Sequence, residues 1–546
     1  MSFTYKMLAV AFALTVTAFA SAGSAPHPTG SVAAAQSRQI TADVSKVTGP
    51  HSRSPLMVVG AGRANEGLRA DWQAQLALVQ HEIGFRYIRF HGLLNDDMGV
   101  YTEDAAGNPR YNFQYIDTLY DALLALHIRP FVELSFMPSK LASGPQTVFW
   151  WKGNITPPKD MSKWKGLIRA LMTHWRQRYG ESEISTWYYE VWNEPDLNFF
   201  FTGSLDDYLH LYRATATTIK SVCPTCRVGG PASAAAPYEK EILQYCAANN
   251  VPIDFISTHI YAIKTGFVDR ATGVASTIFD TSPDAIVGRV RASRENIEHS
   301  AFPNLELHYT EWGSSYTSTD YLHDQYHQAS FILDKLRKAS PYATSMSYWT
   351  FTDIFEERGP RFTPFYGGFG LLNYEGIRKP SFFAYKFLSE LGTSDIAVTD
   401  TAPRGPQSWI TRTGNQQVQA LFWRYYPITP PTGQDDQHFY KRELPAGTAK
   451  PVVLTLTHMR PGRYRLAVYR IGYEQNDAYT AYLHLGAPSK LTRKEVAELQ
   501  AQASGAPTET RMIKVPQGTF QQTFPLREND VYFVTLTRKK AAPTVH

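Results

Sequence analysis

Two stretches of the chain set a glutamate among aromatic and amide neighbours. Residues 187–195 (WYYEVWNEP) carry Glu194 directly after Asn193, and residues 307–313 (LHYTEWG) carry Glu311 directly before Trp312. Neighbours can hold a carboxyl group shielded from water in either protonation state, because burial and nearby like charge both penalise its ionised form. One protonated and one ionised glutamate is the pair that glycosidic bond cleavage needs. A single glutamate at a strand end is usually a solvated surface residue; two in matched surroundings turn the reading toward chemistry. His91, His259 and His308 raise the question of a metal, but no HExxH or comparable ligand spacing accompanies them. They read as hydrogen-bonding or packing residues, and no metal or cofactor is expected.

The elements that would position these groups follow from periodicity. Short apolar runs at residues 56–59, 87–90, 130–134, 188–191, 227–229, 255–258, 305–309 and 345–348 read as eight strands. Between them lie amphipathic stretches: Phe113, Ile116, Leu119, Tyr120 and Leu123 share one 3.6-period face, as do Leu322, Tyr326, Ala329, Leu333 and Leu336. Eight strands alternating with helices predict a closed (β/α)8 TIM barrel over residues 55–392, with chemistry at the C-terminal ends of the strands. An open doubly wound sheet is the alternative, but no Gly-rich phosphate turn follows the first strand. Glu194 and Glu311 then sit at the ends of strands four and seven. Glu133, ending strand three, reads as a buried partner for an arginine as readily as a site residue. Trp150 and Trp151, beside Lys152, either line the entrance or pack between loops.

Beyond about residue 395 the texture changes to β-rich runs at 416–426, 451–457, 463–470 and 531–538, separated by Pro/Gly turns. Tyr464, Leu466 and Val468 alternate with period two, the mark of a half-buried strand. Residues 393–546 are therefore expected to form a β-sandwich accessory domain, and 427–436 a loop. Residues 23–54 read as a linker or as a strand joining that sandwich.

The chain has 546 residues, a formal net charge of +5, and 11 Trp, 32 Tyr and 30 Phe. So thin a charge excess demands neither nucleic acid nor a membrane surface as partner. Lys6, the apolar stretch to Ala20 and the small residues through Ala22 make residues 1–22 a secretory signal peptide, so a periplasmic or secreted location is expected. Three cysteines exclude a four-thiolate zinc site. Cys223 and Cys226 are expected in a surface loop, where a local disulfide is open, and Cys246 as a free or buried thiol.

An ordered set of motifs resembles glycoside hydrolase family 39, in the clan of retaining (β/α)8-barrel glycosidases. It comprises residues 89–98 (RFHGLLNDDM), 189–196 (YEVWNEPD), 258–261 (THIY), 309–312 (YTEW), 348–357 (YWTFTDIFEE) and 368–371 (GFGL). The resemblance implies Glu194 as general acid/base and Glu311 as nucleophile. It also implies sugar contacts from His91, Asn193, His259, Tyr261, Trp349 and Glu357, with Trp349 as an apolar floor beneath the ring. Trp349 and residues 353–357 resemble the β-xylosidase branch, which implies release of D-xylose from the non-reducing ends of β-1,4-xylo-oligosaccharides. An α-L-iduronidase-like, arabinopyranosidase or endo-acting exopolysaccharide hydrolase activity stays open, as does a non-catalytic carbohydrate-binding role. Monomer and tetramer are both open. Asp196 and the run Phe199, Phe200 and Phe201 are local features without an assigned effect.

Overall fold

The computed structural model describes residues 37–268, 275–431 and 436–539. The expected leader at residues 1–22, residues 23–36 of the next segment and positions 432–435 of the expected loop lie outside the described residues. Eight parallel strands close into a barrel: β1 (Val58–Arg63), β2 (Tyr87–His91), β3 (Arg129–Glu133), β4 (Tyr188–Glu190), β5 (Arg227–Ala234), β6 (Phe255–Tyr261), β7 (Glu306–Gly313) and β8 (Ser345–Tyr348). Eight helices alternate with them: α1 (Ala70–Glu82), α2 (Gln114–Ala125), α3 (Met161–Tyr179), α4 (Leu205–Val222), α5 (Glu239–Asn249), α6 (Val287–Glu298), α7 (His327–Ala339) and α8 (Pro380–Ser389). This is the architecture that the sequence alternation predicts.

Local chemistry sets the helix starts. The Ser204 hydroxyl and the Asp207 carboxylate cap each other's backbone N–H groups and open α4. On α2, Ile116, Leu119, Tyr120 and Leu123 are buried, as their spacing predicts. The face predicted from Leu322 onward begins later than expected. The Asp320 carboxylate accepts from the Leu322 N–H and opens a short 3-10 turn, Gln325 is extended, and the helix starts at His327.

Period-two alternation sends Tyr87, Arg89 and His91 of β2 into the barrel, and these three positions define its layers. At the bottom, Tyr87, Phe131, Tyr188 and Phe255 close the interior, with Phe131 and Tyr188 stacked 4.8 Å apart. His308 belongs to this layer, bonded to Ser345 and Glu306 and packed on Tyr188. Above it Arg89, Glu133 and Glu190 form a buried ionic layer, and Glu133 is indeed an arginine partner. His91 begins the top layer.

The second body is a nine-stranded, mostly antiparallel sheet. Strand Arg38–Pro50 enters it parallel to Thr448–Thr457 and antiparallel to Ser394–Asp400, held by the buried pair of Arg38 with Asp400 at 2.7 Å. Phe422 and Phe524, on strands far apart in the sheet order, meet at 5.4 Å, so the sheet folds over on itself around a single core. Strands Ser394–Asp400, Ser408–Thr413, Glu509–Val515 and Phe520–Arg527 and helices Ala478–His484 and Arg493–Gln502 were not among the predicted elements. Cys223 and Cys226 end a short loop whose Pro224 and Thr225 are exposed, as expected, and the two are disulfide-bonded with their side chains buried. The apolar cystine packs inward, with the Cys226 sulfur 3.5 Å from the Ile184 carbonyl oxygen. Cys246 is free and buried. Among the described residues no helix is long and apolar enough to cross a membrane.

Candidate active site

All eight residues singled out from the sequence line one cavity of about 760 Å³ at the C-terminal end of the barrel. Glu311 reaches it through a register irregularity. Thr258 of β6 pairs with Tyr309 and His259 with Glu311, so β7 carries one extra residue. That extra residue lets Thr310 bond Glu190 in the layer below at 2.8 Å while Glu311 enters the site. Glu194 lies beyond β4 with φ at 44°, and Trp192 near it has φ at 72°. L-residues rarely occupy this left-handed region, and the surrounding bonds hold them there. The Glu194 N–H donates to the Ala232 carbonyl at 2.9 Å, and the Ala234 N–H donates to the Asp196 carboxylate at 3.0 Å. Asp196 is thus a tether between the β4 loop and β5, and burial pushes its carboxyl up to about 6.

Arg89 organises the carboxylates. It is fully buried and donates to Glu190 at 2.6 Å, to Glu311 at 2.9 Å and to the Asn193 side-chain oxygen at 2.9 Å, with Glu133 at 2.8 Å. Burial works against its charge, but Glu190, Glu133 and Glu311 outweigh that and raise its pKa. Because Asn193 spends its oxygen on Arg89, its NH2 group is left as the donor. Glu311 also accepts from the Tyr261 hydroxyl at 2.7 Å.

Glu194 has a different environment. Burial, then the charge of Glu311, then that of Asp196, push its pKa well above the usual carboxylate range. Its partner is His259 Nδ1 at 2.7 Å, and burial, reinforced by Arg89 and His91, drives the His259 pKa well below its ordinary value. A neutral ring accepts the proton of a carboxylic acid or donates to a carboxylate, so the contact survives both states of Glu194. Carboxylate oxygens of Glu194 and Glu311 lie within 4.8 Å of each other.

His91 Nδ1 meets Glu133 at 2.7 Å, and its Nε2 lies 3.6 Å from Glu311 and 3.8 Å from Glu357. Burial lowers the His91 pKa, yet the charge of Glu133 and the bond to it prevail and raise it. Burial and the charge of Glu311 push Glu357 up to about 8 against the pull of His91. Trp349 lies 4.8 Å from the His91 ring and packs on Phe355 and Phe369. Its bed depends on Gly60 of β1: a Cβ there would sit 2.4 Å from Trp349 Cε3. Glu194, His259 and Glu311 offer donor atoms close enough together for a cation, but the three are already engaged with one another, Arg89 and Tyr261.

Sequence reasoning passed over several residues. An arginine in the apolar run YIRFH was the available sign for Arg89. Phe149, Lys264, Tyr316 and Arg358, from the connections beyond the strand ends, and Arg289 of α6 also line the cavity, with Phe199 and Phe200 of the run noted in the sequence. Trp151 packs against Phe136 and Phe149, whereas Trp150 is exposed.

The model of glycosyl hydrolases family 39 matches residues 39–517. The chain belongs to that family. A β-xylosidase of Geobacillus stearothermophilus is 36% identical over 487 residues, 88% of this chain and 91% of that protein. The crystal structure of a monomeric β-xylosidase from Caulobacter crescentus superposes with a TM-score of 0.88 at 41% identity, covering 92% of this chain and 100% of that one. Human α-L-iduronidase is 31% identical over 209 residues, only 34% of this chain and 30% of that protein. As a family 39 glycosyl hydrolase, the chain carries its closely spaced carboxylates where a (β/α)8 barrel puts its chemistry.

Proposed function

We propose that the protein is a retaining, exo-acting β-xylosidase that removes D-xylose from the non-reducing ends of β-1,4-xylo-oligosaccharides. The observation that carries the mechanism is the approach of Glu194 and Glu311 to within 4.8 Å. Retaining enzymes hold their carboxyl groups about 5–5.5 Å apart, whereas inverting enzymes leave about 6.5–9.5 Å for a water between them. The glycone follows from sequence similarity to a β-xylosidase along 88% of the chain, against sequence similarity to human α-L-iduronidase along 34% of it.

In the first step a Glu311 carboxylate oxygen bonds to the anomeric carbon as the bond to the leaving oxygen breaks, and Glu194 gives that oxygen its proton. Esterification removes the negative charge of Glu311, one of the causes holding the proton on Glu194, so Glu194 becomes a better base. In the second step it takes a proton from water, the water oxygen bonds to the anomeric carbon, and the ester bond to Glu311 breaks. Two inversions leave the β-configuration. The Asn193 NH2 group faces the cavity as a donor to the sugar, and Trp349 supplies a flat apolar surface beneath it.

The test is hydrolysis of 4-nitrophenyl β-D-xylopyranoside followed by proton NMR in the first minutes. β-Xylose appearing before mutarotation is expected. Initial α-xylose would overturn the retaining mechanism, and absence of release would overturn the β-xyloside assignment.

A further inference from the structure

The cavity is larger than one pentose needs: clefts of about 300–1,000 Å³ take drug-sized ligands, and this one is about 760 Å³. Beyond the buried groups that surround the glycone, its mouth has two chemically distinct sides. Phe149, Phe199 and Phe200, from the loops after β3 and β4, form an aromatic side, with Phe199 58% exposed. Lys264 after β6, Arg289 on α6 and Arg358 after β8 form a basic side, joined by Tyr316, which is 49% exposed. All three cations are exposed, and no described carboxylate lies within ion-pairing distance of any of them.

Of the buried glutamates only Glu357 acts on this charge, through Arg358, without forming an ion pair with it. Glu311 is engaged by Arg89 and Tyr261, Glu194 by His259, and Glu357 has its pKa pushed up to about 8 by burial. An acidic group on the glycone would meet these three carboxyl groups. The same group carried farther out would meet three cations and two exposed rings. Aromatic faces suit the apolar faces of sugar rings, and arginine suits a carboxylate.

We propose that the mouth of the cavity is an aglycone subsite for a carboxylate-bearing sugar, so that oligosaccharides with a uronic acid on the leaving-group side are preferred over neutral ones. This rests on the glycosidase reading above. Exposed ion pairs are individually weak, so the three cations together should give a preference of about tenfold, equivalent to about 1.4 kcal/mol.

The test compares two aryl xylosides of nearly equal shape, 4-carboxyphenyl and 4-carbamoylphenyl β-D-xylopyranoside. The wild-type protein should favour the carboxylate in kcat/KM by about tenfold at about 0.01 M salt and lose that preference near 1 M. Lys264→Ala with Arg289→Ala should leave only the share of Arg358, a preference of about twofold, and Lys264→Arg should keep the full ratio. Each ratio is taken within one protein, so a less stable variant still gives a reading. Turnover of both substrates with a ratio near one in the wild type would overturn this inference and leave the β-xylosidase reading standing. If neither is cleaved, the β-xylosidase reading falls and calorimetric binding of the same two compounds decides. Preferential binding of the carboxylate keeps the subsite, and equal binding or none overturns it.

Discussion

Replacing Gly60 by alanine tests whether Trp349 is the floor on which the sugar lies. The added Cβ would sit 2.4 Å from Trp349 Cε3, 3.0 Å from Cζ3 and 3.1 Å from the Tyr348 carbonyl oxygen. Carbon atoms pack at about 3.5–4.0 Å, so ring and strand must separate by about 1 Å. Overpacking of this kind costs about 1–3 kcal/mol of stability, which a family 39 barrel should survive as a folded protein. Catalysis should suffer more, since a misplacement of about 1 Å in a positioned site can cost about a hundredfold. The expected outcome is a folded Gly60→Ala protein, verified by thermal melting, with kcat/KM on 4-nitrophenyl β-D-xylopyranoside reduced about a hundredfold. Trp349→Phe removes the two ring atoms that clash, so the double variant should be faster than Gly60→Ala alone. Wild-type kcat/KM in a folded Gly60→Ala protein would refute the floor.

Glu311→Gln should abolish turnover of the aryl xyloside while calorimetry still records xylobiose binding; retained turnover would exclude Glu311 as nucleophile. Glu194→Ala should lose about 10²–10⁴-fold on xylobiose and much less on an aryl xyloside with an acidic phenol, and added azide should restore rate by forming a β-xylosyl azide. Glu194 must hold its proton for the first step, so kcat/KM should fall on the alkaline side as that proton leaves. Asp196 carries a negative charge that raises the Glu194 pKa, so Asp196→Asn should move this alkaline limb to lower pH; an unmoved or raised limb would contradict the argument. Cleavage of the expected leader predicts an exported protein whose N-terminus, read by Edman sequencing, follows Ala20 or Ala22; an intact Met1 on the exported protein would refute it.

The barrel was legible because each strand is a short apolar run bounded by polar turns, a pattern that survives without knowledge of neighbours. Glu194 and Glu311 were legible as carboxylates at strand ends, while the other six residues came from the family resemblance; the closed barrel gathers all eight around one cavity. Arg89 was not, because its role depends on three carboxylates from β3, β4 and β7 that only closure brings to it. The same limit hid the mouth: Lys264, Arg289 and Arg358 come from three separate elements. In the second sheet, Glu509–Val515 is an edge strand with most of its residues solvated, so it lacks the alternation that marked Gly462–Ile471. The helix Arg493–Gln502, by contrast, opens on a readable capping box of Thr492 with Glu495.

The division of labour between the two glutamates traces back to the inward-facing positions of β2. Arg89 stays charged amid Glu190, Glu133 and Glu311, and Glu133 stays ionised because His91 and Arg89 outweigh its burial. Arg89 and Glu133 beneath the site are therefore held charged, while burial raises the pKa of Glu190, the third member of that layer. Glu311 is tied directly into it through Arg89 and receives a second donor from Tyr261, the surroundings in which a carboxylate can attack. Glu194 stands outside that layer, with a neutral imidazole as partner and the negative charge of Glu311 before it, the surroundings in which a carboxyl group keeps its proton. In the proposed mechanism two chemically identical side chains thus come to opposite tasks through strand register and turn geometry. The extra residue in β7 brings one to the arginine, and the left-handed turn after β4 holds the other away from it.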